Sequence, residues 1–163
     1  MPSTPFSLAF LNNSSICACW LTFDDGFKSL KSILPILEQY KIKAIFFVIK
    51  DFIFMNDSLE INKFIKENLR FKFDISKLDD QNLNITDLRE IIKLGHTIGY
   101  HTKSHLDLGN VKDMSILEKE IIFSANELEN SFFDMKFKYF AYPFGSSLNI
   151  SKNSYELIKQ KYK

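Results

Sequence analysis

The sequence predicts an α/β fold that is built on parallel strands. Short apolar runs rich in β-branched and aromatic residues alternate along the chain with longer segments in which apolar residues recur at helical spacing. This alternation is typical of parallel strands joined by right-handed crossovers. The strand runs are apolar throughout, as expected of a parallel sheet or barrel that is covered on both faces. In such folds the functional side chains lie at the carboxyl ends of the strands.

Size and composition indicate a single globular domain. The chain has 163 residues, and its 45% hydrophobic and 25% charged residues are typical of a protein with a sizeable core rather than of a disordered one. The 17 phenylalanines predict a core of large rings. The net charge of +1 gives no reason to expect a nucleic acid or an anionic membrane as a partner.

The N-terminal segment carries no recognisable targeting signal. The first ten residues contain no Lys or Arg, and the apolar run at 6–11 is too short for a signal peptide. No run of about 20 apolar residues occurs, so no membrane span is predicted. With Met1 taken as the true start, we expect a cytoplasmic protein. Cys17 and Cys19 are expected to be small buried hydrophobes rather than a disulfide or a zinc site.

The apolar periodicity assigns each segment of the chain to a strand, a helix or a loop. Residues 1–15 are polar and predict an irregular lead-in to a domain that covers residues 16–163. We predict strands at residues 16–23, 43–49, 96–101 and 138–142. We predict helices at residues 27–40, 56–69, 87–94, 113–131 and 149–161, whereas 70–84 has no readable pattern.

Four residues mark predicted element ends. Pro35 predicts either a kink in the first helix or a late start of that helix. Thr86 is expected to cap the helix at 87–94, and Gly95 to end it. His96 lies at the start of the third predicted strand, opposite the functional end, and is therefore expected to be structural.

Two adjacent carboxylates, Asp24 and Asp25, end the first predicted strand, and Gly26 allows a sharp turn after them. Neighbouring carboxylates repel each other, so a compensating charge is needed, and a metal cation is the simplest one. Taken alone, such a pair more often forms a surface turn in which one aspartate caps the next helix.

A histidine pair, His101 and His105, follows the third predicted strand in the motif His-Thr-Lys-Ser-His. Histidines at i and i+4 can bind one cation from a helical turn or a curled loop, and a carboxylate completes a mixed site for Zn, Fe, Ni or Co. Taken alone, the pair fits equally well one exposed and one hydrogen-bonded histidine. Because Asp24 and Asp25 end a neighbouring parallel strand, the metal site is the better interpretation.

A third motif, Phe140-Ala141-Tyr142-Pro143-Phe144-Gly145, ends the fourth predicted strand. Its proline and glycine predict a tight turn, and the backbone N–H groups of such a turn can point into a shared site. By itself the motif indicates only a turn. Its position on the same edge of the sheet as the other two motifs gives it functional weight.

The three motifs together closely resemble the polysaccharide deacetylase family, which is also called carbohydrate esterase family four or the NodB-homology domain. The matching residues are Thr22-Phe23-Asp24-Asp25-Gly26, His101-Thr102-Lys103-Ser104-His105 and Tyr142-Pro143-Phe144-Gly145, in this order. Further matches lie at 34–37, 43–48 and 95–99, so the resemblance covers about residues 17–163. It implies a distorted (β/α) barrel.

The resemblance also implies the role of each site residue. Asp25, His101 and His105 would bind one divalent metal, usually Zn²⁺. Asp24 would be the general base, and the backbone N–H of Phe144 would donate to the oxyanion. These roles define a hydrolase that removes N-acetyl or O-acetyl groups from a polysaccharide, such as poly-N-acetylglucosamine or another cell-surface glycan.

Substrate contacts are expected from the third motif. Tyr142 and Pro143 would bind the substrate, and either Tyr100 or Tyr142 could stack on a sugar ring, although such residues more often pack in a core. Ala141 stands where the family often has an arginine that orients the catalytic aspartate. Some branches lack this arginine, so its absence indicates a subfamily rather than inactivity.

The end of the sequence departs further from the family. Later strands of the family carry an aspartate-tryptophan motif and a leucine-x-histidine motif whose histidine acts as general acid, whereas no histidine follows His105 here. We therefore expect an incomplete barrel that lacks its C-terminal strands and exposes a sheet edge and apolar surface. A partner chain that supplies the missing half would complete it.

Two other functions remain open at this point. A catalytically impaired fragment could act as a metal-binding, glycan-binding or pairing module, because the general acid is missing. An amidase on a small non-sugar substrate is the other alternative, because related folds hydrolyse cyclic ureides and imides.

Overall fold

A four-stranded sheet carries the predicted site. The computed structural model describes residues 8–11, 18–70, 81–132 and 135–162. Its strands lie in the order β1 (Leu8–Leu11), β2 (Ala18–Phe23), β3 (Ala44–Val48) and β4 (Thr97–Tyr100). The first strand pairs antiparallel with β2, whereas β2, β3 and β4 are parallel to one another. The predicted α/β class with parallel strands is confirmed.

Within the described ranges, seven α-helices lie between or after the strands. They are α1 (Leu34–Gln39), α2 (Lys50–Phe54), α3 (Ser58–Glu67), α4 (Ile85–Lys93), α5 (Met114–Glu118), α6 (Ser124–Glu129) and α7 (Lys152–Lys161). Short 3₁₀ turns occupy Lys28–Ile33 and Ser147–Asn149. A π-helical turn at Lys119–Phe123 joins α5 to α6 into the one long helix that was predicted there. Within the described ranges, no helix is both long enough and apolar enough to span a bilayer.

The centre of the core is β3. All five of its residues are buried, and the ring of Phe46 stacks on that of Phe23 in β2 with 5.0 Å between the ring centroids. Leu37 of α1, Leu88 of α4 and Leu117 of α5 belong to the same buried cluster. Helices from three parts of the chain thus cover the sheet, as a parallel strand without a polar face requires.

The predicted irregular lead-in was wrong for one segment. Residues 8–11 form β1, whose register pairs Phe10 with Cys19 of β2. This strand depends on a non-local pairing that apolar periodicity does not reveal. Cys19 is exposed, contrary to the expected burial. Cys17, the remainder of 1–15 and residues 71–80 of the unreadable segment lie outside the described residues.

Helix ends follow the sequence signals in part. The late helix start predicted from Pro35 is confirmed, because α1 begins after a 3₁₀ turn with this proline in its first turn. The cap predicted at Thr86 was wrong. Asn84 caps α4 instead, since its side chain accepts hydrogen bonds from the N–H groups of Thr86 and Asp87, and Asp87 accepts one from the N–H of Asn84 in return.

The fourth predicted strand is reduced to a single bridge. The N–H of Tyr100 donates to the carbonyl of Tyr139 at 2.9 Å, and the N–H of Ala141 donates to the carbonyl of Tyr100 at 3.0 Å. Phe140 therefore lies beside the end of β4 in a parallel bridge. Regular pairing stops there because the chain leaves β4 after Tyr100 and turns through a left-handed residue, Thr102.

His96 has the structural role that was predicted for it. It is buried at the start of β4, where its Nδ1 accepts a hydrogen bond from the N–H of Ala44 at 3.2 Å. Burial, reinforced by the nearby Lys43, lowers its pKa below the usual value. The histidine therefore stays neutral as a core residue.

Gly99 makes room for the ring of Phe47. The two residues are paired between β3 and β4, and a Cβ atom on residue 99 would lie 2.3 Å from Cδ1 of Phe47. We expect Gly99→Ala to lower the free energy of unfolding by about 1–3 kcal/mol, because a buried ring must move. Thermal melts of Gly99→Ala alone and in a Phe47→Val background test this. The loss should shrink in the second background, and equal losses would contradict the contact.

Candidate active site

Three predicted metal ligands converge at the carboxyl ends of β2 and β4. Asp25 follows β2 and His101 directly follows β4, with β3 lying between the two strands. The Nε2 atoms of His101 and His105 lie 3.4 Å and 3.5 Å from the same oxygen, Oδ1 of Asp25. One ligand atom of each residue lies within 4.8 Å of the other two.

The spacing of these atoms fits a zinc ion. Ligands at 2.0–2.1 Å from a tetrahedral centre lie about 3.3 Å apart, close to the 3.4 Å and 3.5 Å separations from Asp25. Two imidazole nitrogens and one carboxylate oxygen form a donor set that Zn²⁺ accepts. Three protein ligands leave one position open, which is typical of catalytic rather than structural zinc sites.

Both histidines are oriented through their second ring nitrogen. The Nδ1 atom of His101 lies 2.8 Å from the carbonyl oxygen of Ala141, and that of His105 lies 3.0 Å from the carbonyl oxygen of Asn68. A carbonyl only accepts, so Nδ1 carries the proton in each ring when the ring is neutral. The lone pair of each Nε2 therefore faces Asp25, which is the tautomer that metal binding requires.

The backbone of the site is strained. Asp25, Thr102, His105 and Phe144 have φ angles of 73°, 68°, 60° and 65°, in the left-handed region that favours glycine. Each such residue costs about 1–3 kcal/mol and persists only where its surroundings impose the conformation. All three sequence motifs thus contain strained residues, as is common where side chains are held for function.

Asp24, next to Asp25, has an unusual environment. Its Oδ1 is buried, and no described residue donates a hydrogen bond to it. Burial raises the pKa of Asp24 above its usual range; the charge of His101 opposes this effect and that of Asp25 adds to it. Asp24 thus keeps an acceptor free among the described residues.

The two histidines differ in their tendency to bind a proton. Burial by itself lowers the pKa of His101, but its contact with Asp25 and the negative charges of Asp25 and Asp24 outweigh this effect and raise the pKa above the usual value. Burial, reinforced by the positive charge of His101, lowers the pKa of His105 to about 4. The carboxylates of Asp24 and Asp25 thus favour a proton on His101, and the charge of His101 disfavours a second proton on His105.

Phe144 lies at the mouth of the site. Its ring packs edge-on against the ring of His105 with 4.7 Å between centroids, and the guanidinium carbon of Arg70 lies 4.3 Å from the centroid of the Phe144 ring. Its side chain is 38% exposed. Within the described part of the chain, its backbone N–H donates no hydrogen bond, so this predicted oxyanion donor is unengaged.

The predicted substrate residues lie deeper than expected. Tyr142 packs edge-on against Phe140 with 5.3 Å between centroids, and its hydroxyl oxygen is buried. Pro143 is buried as well. Their substrate contacts stay a prediction. Tyr100 is fully buried in the core, so its suggested stacking on a sugar was wrong.

Two residues at the site escaped the sequence analysis. Asn68, just after α3, accepts from His105 through its carbonyl and donates from its side chain to the carbonyl of Ser104 at 2.8 Å. Glu120 is buried in the π-helical turn and accepts hydrogen bonds from Lys103 and Ser104. A glutamate on the apolar face of a helix was a visible signal for the latter, whereas the sequence gives none for Asn68.

Comparison with known proteins agrees with this geometry. The sequence profile of the family described as Polysaccharide deacetylase matches residues 12–162. The search of curated proteins gave no match. Among solved structures, the deacetylase PplD of Streptococcus pyogenes, in complex with acetate, is 22% identical; the similarity covers 88% of this chain and 52% of that one with a TM-score of 0.67.

Two proteins of Bacillus anthracis are also similar. A family 4 carbohydrate esterase is 25% identical over 86% of this chain and 54% of its own, with a TM-score of 0.53. Wild-type BA3943, a CE4 family pseudoenzyme, is 18% identical over 85% of this chain and 38% of its own, with a TM-score of 0.55. This chain therefore spans about half the length, or less, of the structures it matches. Because the family profile covers nearly all of it and the fold agrees, the chain belongs to the polysaccharide deacetylase family.

Proposed function

We propose that this site hydrolyses acetyl groups on a polysaccharide, as a divalent metal-dependent N-deacetylase or O-deacetylase. The observation that carries the proposal is the convergence of Asp25, His101 and His105 on one point, beside the orphaned buried oxygen of Asp24. We propose poly-N-acetylglucosamine or another cell-surface glycan as the substrate. Acetate, present in the Streptococcus pyogenes structure, is the acid that such a reaction releases.

The metal would be held by Asp25, His101 and His105, with Zn²⁺ as the proposed ion. When bound, such an ion polarises a carbonyl group and lowers the pKa of its water to about 7. The chain's own contribution is orientation: Ala141 and Asn68 fix the two imidazole rings through Nδ1, so both Nε2 atoms remain available as ligands.

Asp24 is the proposed general base. As water attacks the acetyl carbonyl carbon, one water proton passes to the carboxylate of Asp24. The raised pKa of this buried group brings it closer to the operating pH, which makes it a stronger proton acceptor than an ordinary aspartate. Its unpartnered Oδ1 leaves a lone pair free for this proton.

Phe144 is the proposed oxyanion donor. Its unengaged N–H is held by a left-handed backbone and by the packing of its ring on His105. An N–H group so positioned can donate to the carbonyl oxygen as that atom gains negative charge. This role uses the backbone only, so the identity of the side chain matters for position rather than for chemistry.

The leaving amine needs a proton, and this step raises the second candidate function. The three histidines of this sequence are His96 in the core and the two proposed metal ligands, so none of these three is free to act as the acid. Asp24 can return the proton that it took from water, or a partner chain can supply an acid. Without either, the chain would act as a metal-binding and glycan-binding module.

Acetate release separates these two functions. We expect the Zn²⁺-loaded chain to release acetate from an N-acetylglucosamine oligomer, and Asp24→Ala to reduce the rate by about 10²–10⁴-fold, because the base is lost. Coupled enzymatic detection of acetate measures this, with the chelator-treated chain as control. Equal release by Asp24→Ala would refute the assigned base. A folded, metal-binding chain without release on N-acetylated and O-acetylated oligomers would identify the binding module.

Metal affinity tests the ligand set independently of turnover. We expect Asp25→Ala to weaken Zn²⁺ binding by more than about 100-fold, the upper range for the loss of an outer-shell partner, because it removes a direct ligand. Isothermal titration calorimetry measures the affinity, and Asp24→Ala is the matched control that removes the adjacent carboxylate but no ligand. If both variants bind Zn²⁺ like the wild type, the proposed centre is refuted.

A further inference from the structure

The loop between the two histidine ligands has a strained backbone that its surroundings must impose. Thr102 and His105 both have left-handed backbones, with φ angles of 68° and 60°. A β-branched residue such as threonine adopts this region only when its surroundings impose it. The hydrogen bond from the N–H of His105 to Oγ1 of Thr102, at 2.9 Å, closes the loop from inside. Its orientation relative to Asp25 must come from other elements.

The carbonyl side of the loop is held by helices α2 and α3. The N–H groups of Lys50 and Asp51, at the start of α2, donate to the carbonyls of residues 102 and 103 at 3.2 Å and 2.9 Å. The side chain of Asn68, after α3, donates to the carbonyl of residue 104 at 2.8 Å. These contacts satisfy the three loop carbonyls, whereas the N–H groups of Lys103 and Ser104 need a partner from another element.

Glu120 supplies that partner. Its Oε2 accepts from the N–H of Lys103 at 3.1 Å and from the N–H of Ser104 at 3.0 Å, and its Oε1 accepts from the Ser104 hydroxyl at 2.8 Å. The residue is only 6% exposed, so water does not compete for these bonds. A buried carboxylate with three donors is well satisfied, and both oxygens are committed to the loop.

The π-helical turn aims Glu120 at the loop. Within this turn the N–H of Ser124 donates to the carbonyl of Lys119, five residues earlier, rather than four. The carbonyls of Glu120 and Ile121 accept from outside the helix: the first from the N–H of Lys103 at 3.1 Å, the second from the hydroxyl of Tyr162 at 2.6 Å. Such turns inside α-helices frequently occur at functional sites.

We propose that Glu120 is a positioning residue for the metal centre. By holding the N–H groups of Lys103 and Ser104, its carboxylate fixes the strained loop so that Nε2 of His101 and Nε2 of His105 both face Asp25. This inference rests on the metal ligands of the proposed function. Glu120 lies 15 positions beyond the histidine motif. In this proposal it nevertheless controls the geometry of the site, and therefore the affinity of the site for metal.

Titration with Co²⁺ tests this proposal, because the visible spectrum of bound Co²⁺ reports ligand geometry. We expect Glu120→Ala to bind Co²⁺ about 10–100-fold more weakly, as outer-shell losses do, and with altered absorption bands. Glu120→Gln should retain most of the affinity and the spectrum of the wild type. Its amide oxygen can accept from both N–H groups, and its NH₂ can donate to the Ser104 hydroxyl.

Glu118→Ala is the matched control, since it removes the same charge from the same long helix. No hydrogen bond joins Glu118 to the loop within the described ranges. Wild-type affinity and spectrum in a folded Glu120→Ala, with folding checked by circular dichroism, would overturn the proposal. If that variant does not fold, Glu120→Asp decides: it keeps the charge but shortens the reach, and unchanged Co²⁺ binding would overturn the proposal equally.

A different result would refute the proposed function rather than this inference. If the wild-type chain binds no Co²⁺, or if Asp25→Ala binds it as tightly as the wild type, the metal centre itself is wrong. If the wild type binds Co²⁺ and depends on Asp25 while Glu120→Ala behaves like the wild type, the metal centre stands and only the role of Glu120 is refuted.

Discussion

The parallel register of β2, β3 and β4 is the constraint on which the site depends. Phe23, Phe46 and Ile98 are neighbours across the three strands, and all three are buried. Counted from this row, Asp25 comes two residues after Phe23, beyond the end of β2. His101 comes three residues after Ile98, directly after the end of β4. A slip of one residue would turn each side chain to the opposite face. The apolar burial that stabilises the sheet therefore also sets the spacing of the residues that could hold a metal ion.

Beyond the sheet, the site is held by hydrogen bonds to strained loops. The histidine loop receives donors from α2 and Asn68 and gives its own N–H groups to Glu120. The segment that follows the histidine loop is tied to the 3₁₀ turn at Ser147–Asn149, because Asp107 accepts from the side chain of Asn149 at 2.8 Å. Gly109 lies so close to Leu148 that a Cβ atom there would approach its carbonyl oxygen to 1.8 Å. Left-handed residues persist at this site because several elements fix them at once.

The two adjacent carboxylates of the site favour a positive charge beside them. Asp24 and Asp25 are adjacent, and the first of them has a buried oxygen without a described donor. Burial by itself lowers the pKa of His101, but the contact with Asp25 and the negative charges of Asp25 and Asp24 raise it above the usual value. Burial, reinforced by the charge of His101, lowers the pKa of His105 to about 4, so this ring stays neutral. The same carboxylate charges would also favour a divalent ion between Asp25 and the two rings.

The sequence by itself determined the α/β class, the three parallel strands and the three residues that could hold a metal ion, because apolar runs and motifs at strand ends are local signals. It did not determine the pairing of β1 with β2, nor the reduction of residues 138–142 to one bridge at Phe140, because both depend on which neighbour a backbone finds. Only the tertiary structure decided that Tyr100 is core and that Asn68 and Glu120 hold the histidine loop. Ser104 and Glu120 lie 16 positions apart in the sequence, and Asn68 and Ser104 lie 36 positions apart. Apolar periodicity gives no information about which residues meet over such separations.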